Sequence, residues 1–136
     1  MPDKLSEVQR SVNMRSIRSE DTAPELFVRS LVHSAGYRFR LHVTELPGKP
    51  DIVLPRLKKI IFVHGCFWHL HRGCNEGRIP ASRRDYWRPK LSRNVERDRI
   101  HARALRRLGW RVLTVWECQL RRPDSLRERI IRFLES

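Results

Sequence analysis

The chain has 136 residues, 40% of them hydrophobic and 8% aromatic, and sets 29 Lys and Arg against 15 Asp and Glu for a formal charge of +14. That length suits a single domain, residues 1–136, with room for a real core. The composition excludes disorder, and no run approaches the ~18 consecutive apolar residues of a membrane span. The start, Met1 to Glu7, has no apolar signal core, so a cytoplasmic protein without membrane contact is expected. Arg outnumbers Lys 24 to 5, and 16 of the 29 basic residues lie between Arg83 and Arg132. Guanidinium grips phosphate in a bidentate fork, and such a surplus self-repels without a polyanion, so nucleic acid is the natural partner.

Apolar residues Val8, Val12 and Ile17 predict a first helix over 6–17, with Ser6 and Gln9 as a capping box. A second helix opens at Thr22, carries Pro24 in its first turn and stops at Gly36; Leu26, Phe27, Leu31 and Val32 form its apolar side. Tyr37, Phe39, Leu41 and Val43 alternate with polar residues, the period of a half-buried strand. After the turn 46–50 come a short strand over 51–54 and a buried one over 59–63. Residues 66–80 read as an irregular loop. Ser82 and Asp85 predict the cap of a short helix, followed by a long helix over 91–108, a strand over 110–117 and a last helix over 125–134. The sum is an α/β domain, a mixed central sheet flanked by helices.

Three cysteines in a reducing compartment do not make a disulfide framework. Cys66, His71 and Cys74 are closely spaced, and Cys118 follows the fourth strand. Three thiolates and one imidazole are an accepted structural zinc set, which would organise the 66–80 loop and tie it to the sheet. Buried cysteines with a solvated histidine are the alternative, and His69 could replace His71 as ligand.

Asp51 opens a buried strand, and the next strand ends at His64, so the two can meet. A hard oxygen ligand such as Asp51 suits Mg²⁺, the cation of phosphodiester hydrolysis, and His64 and His69 could activate water or stabilise phosphate charge. Taken singly, an aspartate such as Asp51 is more often a turn cap and each histidine more often polar surface. The hexapeptide from His64 to His69 is the strongest signal. Glu25 falls three residues after Thr22, which a capping box would explain. Asp98 shares the stripe Leu91, Val95, Ala102 and Leu105, the expected core face of its helix, where a charge must be paired with an arginine or useful. Phe67 and Trp68 beside the polar cluster read either as core packing or as a wedge between base pairs, with Trp87 and Met14 as weaker candidates for that role.

In these segments the chain resembles the very-short-patch repair (Vsr) mismatch endonucleases. The matching stretches are Asn13-Met14-Arg15, Asp21-Thr22-Ala23, Leu46 to Asp51, Phe62 to His69, Asn94 to Asp98, and Leu108 to Val112 through Trp116-Glu117-Cys118. The resemblance implies a restriction-endonuclease-like fold in which Asp51 and the backbone carbonyl of Val63 hold Mg²⁺. It implies His64 in part of a lysine's role, His69 as general base, Glu25 and Asp98 orienting water and histidine behind them, and zinc on Cys66, His71, Cys74 and Cys118. It further implies a monomer that nicks the thymine strand of a T:G mismatch left by deamination of 5-methylcytosine, on the 5′ side of the thymine, in nucleoid DNA. Phe67, Trp68 and Trp87 would intercalate from one groove while the helix bearing Met14 reaches the other. Leu70, Arg72 and an added Gly73 stand where a run of histidines is expected. No mismatch-repair adaptor is legible.

Three rivals remain at this point: a nicking or restriction-type enzyme of the same fold without mismatch preference, a non-catalytic zinc DNA-binding module, and a ββα histidine-metal nuclease with His69 as base.

Overall fold

A computed structural model describes residues 22–136; the expected first helix and Met14 lie outside them. Thr22 caps α1 (Ala23–Ser34), its Oγ1 accepting the Glu25 N–H at 3.4 Å, and Gly36 follows the helix with φ +92°. The apolar side of α1 is Val28, Leu31 and Val32 with Phe27 partly buried, whereas Leu26 is 50% exposed. Leu26 thus stands off the apolar side on which its sequence position suggests it, and Val28 takes that place: at 100° per residue, Val28 is in line with Leu31 and Val32.

The sheet has the order β1-β2-β3-β4, with β1 (Arg40–Leu41), β2 (Ile52–Leu54), β3 (Lys59–His64) and β4 (Arg111–Trp116). The first two pairings are antiparallel and β3–β4 is parallel. Only two residues of the expected 37–43 strand pair, because His42 turns into the left-handed region at φ +46° and ends the ladder. The expected short helix near Ser82 and the long one after Leu91 are a single helix, α2 (Arg84–Arg107), running through Pro89; Arg83, not Ser82, is its cap. Proline in the second turn removes one hydrogen bond without ending a helix fixed at both ends by packing. Short 3₁₀ turns occupy Asn75–Gly77 and Glu117–Arg121, and α3 (Pro123–Glu135) closes the chain.

Alternation along the strands sorts the side chains into two layers. Ile52, Leu54, Ile61 and Val115 pack against α1 and α3, through Val28, Val32, Leu126 and Ile130. Val53, Ile60 and Phe62 face the other way, onto Leu105 of α2. A third cluster, Phe67, Trp87 and Leu91, joins the 66–80 loop to the start of α2. Leu91 and Leu105 are thus anchored in different clusters about 21 Å apart along the helix. The stripe between them is not core: Val95 is exposed, and Asp98 and Ala102 bridge open space. No described helix is long and apolar enough to cross a membrane.

Lys59 is buried in β3, where its ammonium gives its three protons to the carbonyls of Phe133, Leu134 and Ser136 at 2.7, 3.0 and 2.8 Å. These oxygens lie at the C-terminal end of α3, where intrahelical donors run out, although Phe133 O also accepts from Ser136. Lys59→Met retains the stem but removes the three buried donors, and is expected to lower the unfolding free energy by about 1–3 kcal/mol in urea denaturation.

Candidate active site and metal centre

β3 and β4 end together, with His64 opposite Trp116. The parity that puts Ile60 and Phe62 under α2 puts His64, Thr114 and Trp116 there too. Beyond the carboxyl ends of these parallel strands, the usual place for a ligand in such sheets, a cleft of about 680 Å³ opens beneath the middle of α2. Glu25, Asp51, Val63, His64, His69 and Asp98 all line it. Lys49, Arg72, Arg99 and His101 complete the wall, so carboxylates and cations share one space.

Asp51 stands just before β2. Its Oδ2 accepts the Val63 N–H at 2.7 Å, and its Oδ1 lies 3.9 Å from His42 Nδ1. Burial pushes its carboxyl up to about 6, opposed by the Val63 amide and reinforced by the nearby Glu25 charge. Glu25 itself is buried, with Arg29 at 3.4 Å and His42 at 3.9 Å from its Oε1. Its position is therefore more than a helix cap: the backbone serves Thr22 while the carboxylate lines the cleft.

His69 Nδ1 and Asp98 Oδ2 are 2.5 Å apart. A carboxylate oxygen accepts, so a proton sits on Nδ1, and in the neutral ring the lone pair is on Nε2. Asp98's partner is thus an imidazole rather than an arginine. The His69 ring stacks on His64, centroids 3.8 Å apart and planes within 4°. Burial holds His64 down at about 3, with its neighbour His69 adding to the effect, so it stays neutral at physiological pH. His64 Nδ1 is buried without a hydrogen-bond partner among the described residues. An unpaired acceptor is tolerated more readily than an unpaired N–H, which favours the tautomer with its proton on Nε2.

Cys66 Sγ, His71 Nδ1, Cys74 Sγ and Cys118 Sγ lie within 4.8 Å of one another. Bonds of about 2.3 Å to sulfur and 2.0 Å to nitrogen around a tetrahedral ion separate S and N by about 3.5 Å. The observed distances from His71 Nδ1 are 3.6 Å to Cys66 and 3.4 Å to Cys118. The quartet fits such an ion, and His71, not His69, is the imidazole in it. Burial pushes the Cys66 thiol up to about 12 and also raises Cys118; Cys74, against its own burial, is lowered by the amides of Glu76 and Gly77 and by its thiol neighbours. Burial lowers His71, keeping it in the neutral form that ligates metal.

Phe67 and Trp87 are each 7% exposed, packed edge-to-face at 5.4 Å, with Trp68 partly buried 5.2 Å from Phe67. The structure therefore brings the three expected wedge residues into one aromatic cluster beside the cleft, and packing accounts for the two buried rings.

Several site residues carry no sequence signal of their own. His42 and Arg29 sit among the acids; Glu117 Oε1 accepts the Cys66 N–H at 3.0 Å; Asn94 Nδ2 donates to the Trp68 carbonyl at 3.2 Å, tying loop to helix. Gly77 is tightly enclosed: a Cβ there would lie 2.3 Å from the His71 carbonyl oxygen, so the cysteine loop closes only around glycine. Glycine directly after the Cys74-Asn75-Glu76 turn is the available clue.

Comparison with known proteins places the chain among DNA endonucleases. The family model described as DNA mismatch endonuclease Vsr matches residues 2–76. The chain is 50% identical over 135 residues to the type II nicking enzyme V.XorIIP of Xanthomonas oryzae pv. oryzae, covering 99% of this chain and 98% of that one. It is 41% identical to the type II nicking enzyme V.NmeAIP of Neisseria meningitidis serogroup A, covering 98% and 95%. It is 46% identical over 126 residues to DNA mismatch endonuclease Vsr of Escherichia coli K12, covering 93% and 80%.

The two shifted groups act oppositely on stability. Asp51, near 6 rather than 3.8, contributes stability that is present below about pH 4 and lost as the pH rises through 6. His64, near 3 rather than 6.5, contributes stability present above pH 6.5 and lost as the pH falls toward 3. Asp51→Asn removes only the first. With chelator present, the stability of this variant minus that of the natural chain is expected to grow by up to about 3 kcal/mol from pH 4 to 6, then level off. Urea denaturation at several pH values reads it; a flat difference overturns burial as the cause.

Proposed function

The chain belongs to the Vsr family of DNA mismatch endonucleases, and from that membership we propose that it hydrolyses one strand of duplex DNA on the 5′ side of the thymine in a T:G mismatch. The observation that carries this reading is the His69–Asp98 pair stacked on neutral His64, in one cleft with Asp51 and Glu25. We assign the fold to the restriction-endonuclease-like class, supported by the mixed sheet with helices on both faces and an aspartate at the edge of the cleft. The family makes an enzyme of the chain, which removes the non-catalytic DNA-binding module. The four-stranded sheet with a strand-end aspartate also disfavours the ββα nuclease.

The donor set fits Mg²⁺. Asp51 offers a half-buried carboxylate that desolvation and Glu25 alike make costly to ionise without a cation. In a strand the N–H and C=O of one residue point to the same edge, so the Val63 carbonyl faces the side where its amide meets Asp51. Two hard oxygens with water completing the shell are a magnesium environment. Bound there, Mg²⁺ would supply Lewis-acid charge to a phosphoryl oxygen. Glu25 lies behind Asp51 to orient water. His69, its Nδ1–H held by Asp98, presents Nε2 as a general base. His64 reaches the cleft as a neutral donor for a phosphate oxygen, taking over the hydrogen bond of a lysine but not its charge.

The four-ligand centre is read as structural zinc, supported by its S···N distances and its thiolate-rich composition. Phe67, Trp68 and Trp87, with Met14 from the other groove, are read as the residues that deform the duplex; the aromatic cluster would present its outer edge to the stack. The enzyme is read as a monomer acting on nucleoid DNA in the cytoplasm. The names of the nicking relatives support single-strand cleavage, and a nicking enzyme indifferent to mismatch is the second reading they favour.

Duplexes differing only in T:G or C:G at one position decide between the two. Nicking of the thymine strand is expected to be at least about 100-fold faster on T:G, and His69→Ala to lower that rate by about 10²–10⁴ while duplex binding persists. Equal rates on both duplexes sink the mismatch reading and leave the indifferent nickase. Cys118→Ala is expected to lower both zinc per chain, by elemental analysis, and melting temperature; unchanged zinc overturns the assignment.

A further inference from the structure

The residue between the two acids of the cleft is His42, and neither the family resemblance nor the sequence pattern gives it a role. Its backbone N–H donates to the Asp51 carbonyl at 3.2 Å, one step past the last β1–β2 pair, so it is anchored directly across from Asp51. Its ring spans the acids, Nδ1 being 3.9 Å from Asp51 Oδ1 and Nε2 3.9 Å from Glu25 Oε1. Arg29 Nη2 lies 3.1 Å from His42 Nε2 and 3.4 Å from Glu25 Oε1.

Guanidinium donates and never accepts. Arg29 therefore fixes Nε2 of His42 as the acceptor and leaves its proton on Nδ1, the nitrogen that faces Asp51. The ring is a spacer that aims an N–H at Oδ1 while Arg29 balances Glu25. His42 also holds φ at +46°, uncommon for a residue with a side chain, and such backbone gathers at sites where geometry matters. The Val63 amide holds Oδ2 of Asp51 by a hydrogen bond, and His42 Nδ1 faces the other oxygen across 3.9 Å.

We propose that His42, oriented by Arg29, is a positioning residue that sets the Asp51 carboxylate for divalent-cation binding. The inference rests on the reading of Asp51 as the cation ligand. Partners that orient a ligating carboxylate commonly change metal affinity by about 10–100-fold when removed.

The test uses the whole chain without DNA, titrated with Mn²⁺ and followed by the electron paramagnetic resonance of the free ion. His42→Gly removes the ring while suiting the left-handed backbone, and His42→Gln restores an acceptor for Arg29 and an N–H for Asp51. The Mn²⁺ dissociation constant is expected to rise about tenfold in His42→Gly and to return to within about threefold of the natural value in His42→Gln. The Mg²⁺ concentration for half-maximal nicking should move in the same proportion, which a loss of folded protein would not produce. Unchanged Mn²⁺ affinity in a folded His42→Gly, alongside lost affinity in Asp51→Asn, overturns the role of His42 alone. Unchanged affinity in Asp51→Asn overturns the ligand reading and this inference together.

Discussion

A single hydrogen bond, Val63 N–H to Asp51 Oδ2 at 2.7 Å, fixes the relation between the acid and the strand that ends in His64. The β2–β3 register pairs Ile52 with Ile61, and continued two steps further it would put Val63 opposite Pro50. At that ladder end a side chain takes the amide. The bond is charge-assisted when Asp51 is ionised, and such bonds are the stronger kind. It turns the carboxylate toward the face where β3 delivers His64. The cleft then follows from strand parity and from α2 bridging two separate clusters over the sheet.

Electrostatics in the cleft divides the labour among groups of similar type. Asp51 and Glu25 lie close enough to raise the proton affinity of Asp51, which makes a cation the natural third party. Asp98 stands apart from them, committed to His69. The two stacked imidazoles are likewise unequal: His69 is tied to a carboxylate, while burial denies His64 a charge. Two facing imidazolium rings at 3.8 Å would repel, so the stack itself requires at least one neutral ring. Chemistry that needs one proton acceptor and one neutral donor is served by that inequality.

Much of this was legible in the residues. Runs with period two or 3.6, the Thr22 cap and the glycines that end helices marked the elements, since those signals act locally. The strand-end aspartate, the hexapeptide and the cysteine spacing marked the site because those residue types are costly to place without a partner. What was not legible depends on the third dimension. The Leu91-to-Leu105 stripe has core periodicity, yet its middle roofs a cleft, because the helix is anchored only near its ends. Alternation from Tyr37 to Val43 showed a strand but not that His42 would leave it with positive φ and point at Asp51. Proline at 89 suggested two helices where packing keeps one.

The cysteine cluster and the histidines of the cleft are interleaved along the chain, and that order carries mechanical meaning. His64 immediately precedes the loop, Cys66 and His71 bracket His69, and Cys118 adjoins the end of β4, where Trp116 stacks on His71 at 4.1 Å. A loop of this length without a core of its own would sample many states, each ordered residue costing roughly 1–2 kcal/mol of entropy. Four ligand atoms converging on one point remove that freedom at both flanks of His69, and Glu117 and Asn94 add bonds to the loop backbone at Cys66 and Trp68. On the proposed reading of His69 as general base, its position would thereby be set by a centre that takes no part in proton transfer. Gly77 belongs to the same device, since its missing side chain lets the far end of the loop close on the His71 backbone. Disturbing that closure would reach His69 first, through two residues of chain, and only then the sheet beneath it.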